Sequence, residues 1–533
     1  MEASCVYTTL LLLSCLHTEG ALAANPFLDP KIAQHYRQLY EKAQYECRHA
    51  FDPELQWTTQ EEKKLVRRLD WHVCAWACVM FFALQVDRGN LSQAVSADML
   101  DQLDLSTNQY NYGRTIFYVS FLLAEVPSQL VSKKLGPDRW IPTQMIMWSV
   151  VAASQAALIG VNSYYATRSL LGILEGGFIP DLILWLSYFY TSRELPIRLS
   201  FFWTATSVTG LVTSLLAFAL LHMDGISSLS GWRWLFLIEG LMTLLIGFAS
   251  FFLMPASAVQ TKAWFRPNGW FTDREVGIVV NRVLRDDPSK GDMHNRMAIA
   301  PSRLWKALTD YDLWPIYAMG LVIFIPMNPP NAYLTLTLRQ LGFNAFTTNL
   351  LVVPSTAIGI CTLLLITRLS EYLNERSLVA MIQDIWTLPC LLALRFWQGV
   401  MHDAWGTYAL VTTLLSYPYC HAIVVAWASR NSGSVRTRTV SAAVYNMMVQ
   451  VGNVVSSNIY RTEDKPLYHH GNSVLIGINF LAVVMFVGTK GYYVWRNRQK
   501  ERVWEGMSKE EKEVYRETTK DEGNKTLDFR FAH

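Results

Sequence analysis

Two adjacent charged residues, Asp87 and Arg88, interrupt a long apolar run that begins near Trp71. A charge deep in a bilayer costs at least a few kcal/mol, so such a residue usually lines a cavity and has a partner. Adjacent residues of a helix point about 100° apart, so these two side chains cannot simply neutralise each other. We therefore expect each to meet a partner on another helix, unless both lie at the outer interface as helix-end residues.

The fourth apolar segment, "YYATRSLLGILEGGFIPDLILW", supplies candidate partners. Arg168 and Glu175 are two helical turns apart and share a face. Gly172 and Gly176 would let this helix approach a neighbour closely, and the proline that follows them can bend it. Asp181 points elsewhere and is interpreted as a structural hydrogen-bonding acid. Arg168 is a candidate site residue, unless it extends to the outer headgroups.

The signs of these charges suggest a mechanism. Asp87 and Glu175 balance Arg88 and Arg168, so a bound anion would leave an excess negative charge in a low-dielectric cavity. Protonation of one carboxylate removes that excess, so anion and proton would bind with positive coupling. This coupling is what anion:proton symport requires. Arg88 and Arg168 are thus candidate substrate-binding residues, and the two acids are candidate proton-coupling residues.

Further polar groups lie in two later apolar segments. In the eleventh, Asn446, Gln450, Asn453 and Ser457 recur at helical spacing and form one stripe. Amides in lipid are costly, so this stripe faces protein or water, either as a helix–helix contact or as a substrate contact. The three amide residues are therefore candidate substrate-binding residues. In the seventh segment, "FIPMNPPNAY" predicts either a broken helix that lines a cavity or an extracellular helix end.

The elements that must position these residues are transmembrane helices. Of the 533 residues, 51% are hydrophobic and 17% are charged, and the apolar residues form recurring windows of about 20. We predict an all-α integral membrane protein with twelve transmembrane helices. The predicted segments lie at about 71–97, 112–131, 140–160, 164–190, 200–222, 232–254, 312–335, 347–368, 377–397, 405–427, 437–459 and 472–495.

The loops predict an orientation and a domain organisation. Loops rich in Lys and Arg fall on one side, so the positive-inside rule places both termini in the cytosol. The predicted order is an N-terminal tail (1–70), a first six-helix half (71–254), a cytosolic linker (255–311), a second six-helix half (312–495) and a C-terminal tail (496–533). Two-half transporters are built this way, with the site at the midplane between the halves.

Other features narrow the functional class. Residues 1–25 look like a signal peptide or a gene-model extension, and the basic "KKLVRR" before the first helix favours a cytosolic tail. The eight cysteines show no zinc or disulfide pattern. We expect no metal and no cofactor. The net charge of +3 does not suggest a nucleic-acid partner.

Several motifs carry a family resemblance. Twelve segments with this loop pattern resemble the major facilitator superfamily. "DRGNLSQA" and "RSLLGILEGGFIP" resemble the first-helix and fourth-helix motifs of its anion:cation symporter branch. The resemblance implies that Arg88 binds the substrate anion, that Asp87 and Glu175 take part in proton coupling, and that Arg168 organises the network. Phe121 stands where many relatives have a cavity tyrosine.

A narrower resemblance points to the fungal allantoate-permease group, through "GWRWLFLIEG", "YTSRELPIR", "WASRNSGSVRTRT" and "SSNIYRTEDKPLYHHGN". "LGPDRWIPTQM" and "LDFRFAH" look like its sulfonate and sulfate transporter subgroup. The sequence thus predicts a plasma-membrane permease that imports a small organic or sulfur-containing anion with protons. The substrate would be sulfonate or sulfate, or a carboxylate like allantoate or nicotinate. A monomer would suffice. A non-transporting nutrient sensor of the same fold is the alternative.

Overall fold

The computed structural model describes residues 25–191, 194–291, 305, 308–432, 435–519 and 523–533. The signal-like segment up to residue 24 lies outside these ranges, so the interpretation of that segment stays a prediction. Regular secondary structure in the described ranges is helical, and no β-sheet is found among them. The predicted all-helical architecture is confirmed.

The helices are numbered in chain order, omitting single turns. Up to the linker they are α1 Pro30–Lys42, α2 Thr59–Leu69, α3 Ala75–Val95, α4 Thr107–Leu135, α5 Pro137–Ser154, α6 Val161–Glu175, α7 Phe178–Ser187, α8 Leu195–Leu220, α9 Gly231–Leu253 and α10 Asp273–Asp286. Beyond it they are α11 Trp314–Val322, α12 Asn328–Ala332, α13 Leu334–Gln340, α14 Ala345–Leu373, α15 Ile382–Phe396, α16 Ala404–Leu415, α17 His421–Asn431, α18 Val435–Ser456, α19 His469–Glu505 and α20 Lys509–Thr518.

Seven helical spans of the described chain are long and apolar enough to cross a membrane. They are Thr59–Val95, Thr107–Ser132, Val161–Ser187, Gly231–Leu253, Phe346–Leu373, Ser377–Phe396 and His469–Glu505. Two shorter apolar helices, Val208–Met223 and Ala404–Leu415, coincide with further predicted segments. The seventh and tenth predicted segments are each divided between shorter helices, so neither forms one continuous apolar helix.

The fourth predicted segment is a broken helix. The helix α6 ends at Glu175, and α7 begins at Phe178. Between them Gly177 adopts φ +85°, a left-handed conformation that favours glycine. The Gln144 side chain donates hydrogen bonds to the carbonyls of Leu174 and Gly176, at 3.1 and 3.0 Å, which satisfies backbone groups that the break leaves free. The bend therefore lies at the glycine pair and not at the proline, and it places Glu175 at the end of a helix.

Glycines also bring α4 and α6 into close contact, as the sequence predicted for Gly172 and Gly176. A Cβ added at Gly172 would lie 2.4 Å from the Phe117 carbonyl oxygen, and one at Gly176 would lie 2.9 Å from the Phe121 carbonyl oxygen. Only hydrogen at these positions lets the two backbones approach so closely. This contact fixes Arg168 and Glu175 against the Phe117–Phe121 face of α4.

The seventh predicted segment is also broken. The helix α11 stops at Val322, and the chain resumes as α12 at Asn328 after a turn. Pro329 and Pro330 fall in the first turn of α12, where a missing N–H is tolerated. Helical structure then continues through α13 to Gln340. Of the two readings of "FIPMNPPNAY", the structure favours the broken helix, because the chain remains helical for many residues beyond the prolines.

A smaller compact unit combines residues 25–66, 188–191 and 257–291. The sequence predicted the N-terminal tail and the cytosolic linker as separate regions, but in the structure they pack against each other. The Asn281 side chain of α10 accepts a hydrogen bond from the Asp52 amide and donates one to the Ala50 carbonyl, both at 2.8 Å. Arg285 donates to the Leu55 carbonyl at 2.6 Å. The linker helix therefore holds the N-terminal segment in place.

The C-terminal segment, residues 523–533, is folded back onto the second half. Phe531 is buried and stacks on Tyr493 of α19, with ring centroids 5.1 Å apart. The backbone of Ala532 exchanges two hydrogen bonds with the Asn431 side chain of α17, at 2.8 and 3.0 Å. The end of the chain, predicted only as a charged tail, is thus part of the core formed by α17 and α19.

An ion-pair cluster fastens the same segment near the start of α11. Lys525 contacts Asp310 at 2.6 Å and Asp312 at 2.7 Å, and Arg496 contacts Asp312 at 3.0 Å. Burial raises the pKa of Asp312, but hydrogen bonds from Lys525, Tyr492 and Arg496 outweigh it and hold the pKa below its ordinary value. Asp312 therefore stays ionised near neutral pH and keeps these contacts.

We predict that Phe531→Ala releases the C-terminal segment. Truncating a buried phenylalanine costs about 3–5 kcal/mol, and we expect about 3 kcal/mol because the segment can detach as a unit. Hydrogen exchange of the purified protein would then show loss of amide protection at residues 523–533. Arg530→Ala is the matched control, because Arg530 is exposed. Unchanged protection in the Phe531 variant would contradict the predicted docking.

Candidate functional site

The central contact of the candidate site is an ion pair between Arg88 of α3 and Glu175 at the end of α6. The Arg88 Nε lies 2.7 Å from Glu175 Oε2. The Glu175 side chain is fully buried, whereas the Arg88 side chain is 20% exposed. The guanidinium therefore remains partly accessible while it neutralises a carboxylate that water does not reach. The partner of Arg88 lies on another helix, as the sequence required.

Arg168 lies beside this pair without bonding to Glu175. Its Nη2 donates to Gln155 Oε1 at 2.9 Å, and the residue is 4% exposed. Its guanidinium lies 5.6 Å from the centre of the Phe117 ring, and that of Arg88 lies 4.8 Å from the Phe121 ring. The face shared by Arg168 and Glu175 thus meets α4 and α3. Phe121 contributes a cation–π contact to Arg88.

Asp87 points about 100° away from Arg88 around α3 and lies beside Trp148 of α5 and Thr243 of α9. It is 1% exposed, and neither carboxylate oxygen has a hydrogen-bond partner within the described part of the chain. Trp148 Nε1 likewise has no partner there, and the Thr243 hydroxyl donates to the Gly240 carbonyl at 3.1 Å. Glu239 lies one turn before Thr243 on α9, is fully buried and faces Asp87 and Asn90. Two carboxyl groups therefore share one apolar region beside the ion pair.

The stripe on α18 meets the break in the seventh segment. Asn453 accepts a hydrogen bond from Asn328 at 2.5 Å and donates one to Gln450 at 3.0 Å. Asn446 is half-buried on the same stripe. Asn328 also donates to Ser456 at 3.2 Å. The amides of α18 thus bind one another and the start of α12, and their role in substrate binding stays a prediction.

Hydrogen bonds join the two halves at one end of the helices. The Asn111 side chain of α4 donates to the Tyr460 carbonyl at 2.6 Å and accepts from the Tyr333 hydroxyl at 2.5 Å. Asn458 donates to Thr115 at 2.8 Å. This is the end that the positive-inside rule assigns to the outer face. Arg88 and Arg168 lie about two turns below it along their helices.

Sequence reasoning missed two charged residues close to this cluster. Glu239 lies within "GWRWLFLIEG", a stretch that carried only a family resemblance. Arg114 lies within "YNYGRTIFYVSF" on α4, near the start of an apolar segment. Each is a single charge in an apolar helix, which is the same signal that identified Asp87 and Glu175. Applied to every segment, that criterion would have found both.

Comparisons with known proteins agree with this architecture. Residues 77–457 match the family described as Major Facilitator Superfamily. An uncharacterized transporter of Saccharomyces cerevisiae is 44% identical over 517 residues, which cover 96% of this chain and 95% of the relative. The major facilitator-type transporter hxnP of Emericella nidulans is 28% identical over 77% of this chain and 81% of the relative.

Solved structures resemble the chain in fold at low sequence identity. The xylose transporter XylE from E. coli, in a partially occluded inward-open conformation, matches with a TM-score of 0.59 and 12% identity, over 78% of this chain and 97% of that one. A bacterial homologue of the human lysosomal transporter Spinster, in an inward-facing and occupied conformation, matches with a TM-score of 0.56 and 13% identity, over 80% and 96%.

Proposed function

Because the chain belongs to the Major Facilitator Superfamily, we propose that it is a secondary active transporter that imports a small anion together with protons by alternating access. The chain is a multi-pass membrane transporter of this family rather than an enzyme. Beyond this family membership, we propose that protons drive transport, that transport is inward and that the substrate is an anion. It places both termini in the cytosol and the protein in the plasma membrane.

The observation that carries the proposal is the partly exposed Arg88 guanidinium paired with fully buried Glu175. An anion that binds Arg88 competes with Glu175 for the same guanidinium. The displaced carboxylate would be left as an unpaired buried charge, which is strongly unfavourable unless it takes up a proton. Anion and proton binding therefore favour each other at this pair.

The contacts between the halves support alternating access. The bonds of Asn111, Tyr333 and Tyr460 close one end of the transporter, and by the positive-inside rule this is the outer end. An inward-facing state has this arrangement. Outward opening would require these hydrogen bonds to break, and rocking of one half against the other would break them together.

The substrate is proposed as a sulfonate or sulfate, or as a carboxylate like allantoate or nicotinate, in keeping with the anion:cation symporter and allantoate-permease motifs. A nutrient sensor that binds without transport is the second candidate from the sequence. The family and its relatives named as transporters favour transport over sensing.

The experiment is uptake of labelled sulfate, taurine, allantoate and nicotinate into yeast that lack their own permeases for these anions. Uptake is compared at acid and neutral pH, with and without a protonophore, for the wild type and Arg88→Ala. We expect one anion to accumulate faster at acid pH, and its accumulation to collapse with the protonophore and in the variant. Arg37→Ala is the matched control, because Arg37 is an exposed arginine of α1.

The alternatives give different results. Uptake that is saturable but indifferent to pH and protonophore would exclude proton symport and leave an anion carrier. Saturable binding of an anion to the purified protein without accumulation in cells would favour the sensor. Equal loss in the Arg37 and Arg88 variants would show that the defect is not specific to the site.

A further inference from the structure

A third arginine, Arg114, lies in the candidate site and has no assigned role. It follows Thr107, the first residue of α4, by seven residues, just as Arg168 follows Val161, the first residue of α6. Both side chains therefore lie about 10 Å below the same end of the helices. Phe117, one turn further along α4, is the ring over which Arg88 and Arg168 are both placed. Arg114 thus extends the same cluster.

The three guanidinium groups differ in whether a nearby carboxylate balances their positive charge. Arg88 is neutralised by Glu175, and Arg168 is bonded to a neutral amide oxygen of Gln155 and buried. Arg114 is half-buried, and no carboxylate forms an ion pair with it in the described ranges. An uncompensated guanidinium within a membrane helix is costly. Such a group is retained at that cost where a ligand supplies the missing negative charge.

The surroundings of Arg114 suit an oxyanion. Its guanidinium lies among the side chains of Tyr110, Tyr118 and Tyr333, with Tyr118 within hydrogen-bonding reach. Tyr110 and Tyr164 lie near both Arg114 and Arg168. The Tyr333 hydroxyl donates to Asn111 and the Tyr164 hydroxyl donates to the Tyr110 carbonyl, so the guanidinium itself is the main donor here, and it can bind two anionic oxygens in a fixed fork. Arg114 is therefore a hydrogen-bond donor with no competing carboxylate in the described ranges.

We propose that Arg114 is a second anion-binding residue of the transport site and that the transported substrate carries two negative charges. This inference rests on the proposed function and deepens it by naming the charge of the substrate. One acidic oxygen binds on the Arg88 side of the Phe117 ring, and the second binds Arg114. Two kinds of substrate would supply these two charged oxygens: a single tetrahedral dianion, or a short molecule with an acidic group at each end.

The charges of the cluster agree with a doubly charged substrate. Arg88, Arg114 and Arg168 supply three positive charges, and Asp87, Glu175 and Glu239 supply at most three negative ones. Protonation of two of the three acids leaves an excess of two positive charges, which a dianion neutralises. Asp87 and Glu239 are both buried, and Glu175 is the acid that a bound anion displaces from Arg88.

The test compares singly and doubly charged probes with Arg114→Gln and Arg114→Lys. The doubly charged probes are sulfate and succinate, and the singly charged probes are methanesulfonate and nicotinate. We expect the wild type to take up a doubly charged probe best, Arg114→Gln to lower that uptake at least tenfold, and Arg114→Lys to retain more of it. Uptake of singly charged probes should change less than threefold. Arg37→Gln is the exposed control.

A binding measurement separates folding from recognition. The preferred dianion should raise the thermal unfolding temperature of the purified wild type, and this shift should be lost in Arg114→Gln and kept in Arg37→Gln. The inference would be overturned if Arg114→Gln lost the uptake of singly and doubly charged probes equally. It would also be overturned if the dianion still raised the unfolding temperature of Arg114→Gln as much as that of the wild type. Dianion uptake that depends on Arg114 but ignores a protonophore would uphold it and instead overturn proton symport.

Discussion

Replacing Arg88 by alanine is expected to abolish anion uptake and to destabilise the protein by about 3–5 kcal/mol. The loss of uptake follows because the variant lacks the guanidinium that would hold the substrate anion. The destabilisation follows because fully buried Glu175 is left without its partner, and removal of one partner from a buried ion pair has this cost. Uptake of the transported anion in cells and thermal unfolding of the purified protein measure the two effects.

A double variant separates these two roles of Arg88. Replacing both charges, as Arg88→Met with Glu175→Leu, removes the unpaired buried carboxylate, so we expect stability to return to within about 1 kcal/mol of the wild type. Uptake should stay absent. Arg339→Ala is the ion-pair control, because the Arg339–Asp98 pair is partly exposed on both sides and should contribute about 0–1 kcal/mol. Normal uptake in the double variant would contradict the role of Arg88 as the anion-binding group.

Replacing Gly177 by valine is expected to destabilise the protein by about 3–5 kcal/mol, by strain and overpacking together. Gly177 has φ +85°, which a β-branched residue adopts only with strain. Its added Cβ would lie 2.5 Å from Ser128 Oγ. That oxygen accepts hydrogen bonds from Trp140 at 2.9 Å and Gln144 at 3.0 Å, so moving it disturbs the bonds that close the break after Glu175.

Gly477→Val is the matched control for this prediction. Gly477 lies on α19, and a Cβ added there meets no atom within 4 Å. Expression level, monodispersity in detergent and thermal unfolding should separate the two variants clearly. If Gly177→Val and Gly477→Val were destabilised equally, the low helix propensity of valine would account for both losses. The left-handed conformation of Gly177 would then not be required for stability.

The sequence alone predicted the apolar helices and the charges Asp87, Arg88, Arg168 and Glu175 within them. Apolar windows of about 20 residues identify spanning helices because an isolated backbone must satisfy its hydrogen bonds within one segment. Helical periodicity likewise placed Arg168 and Glu175 on one face, and the glycine spacing predicted a close helix contact. These are local properties, so they follow from residue type and spacing.

Only the tertiary structure decided which residues meet. Periodicity fixes the face of a helix but not the helix that packs against it, so it did not show that Glu175 pairs with Arg88 rather than Arg168. The C-terminal end, predicted only as a cytosolic tail, docks on the second half because α17 and α19 receive Ala532 and Phe531. Pairing, burial and closure depend on contacts between distant segments, which spacing along one segment does not contain.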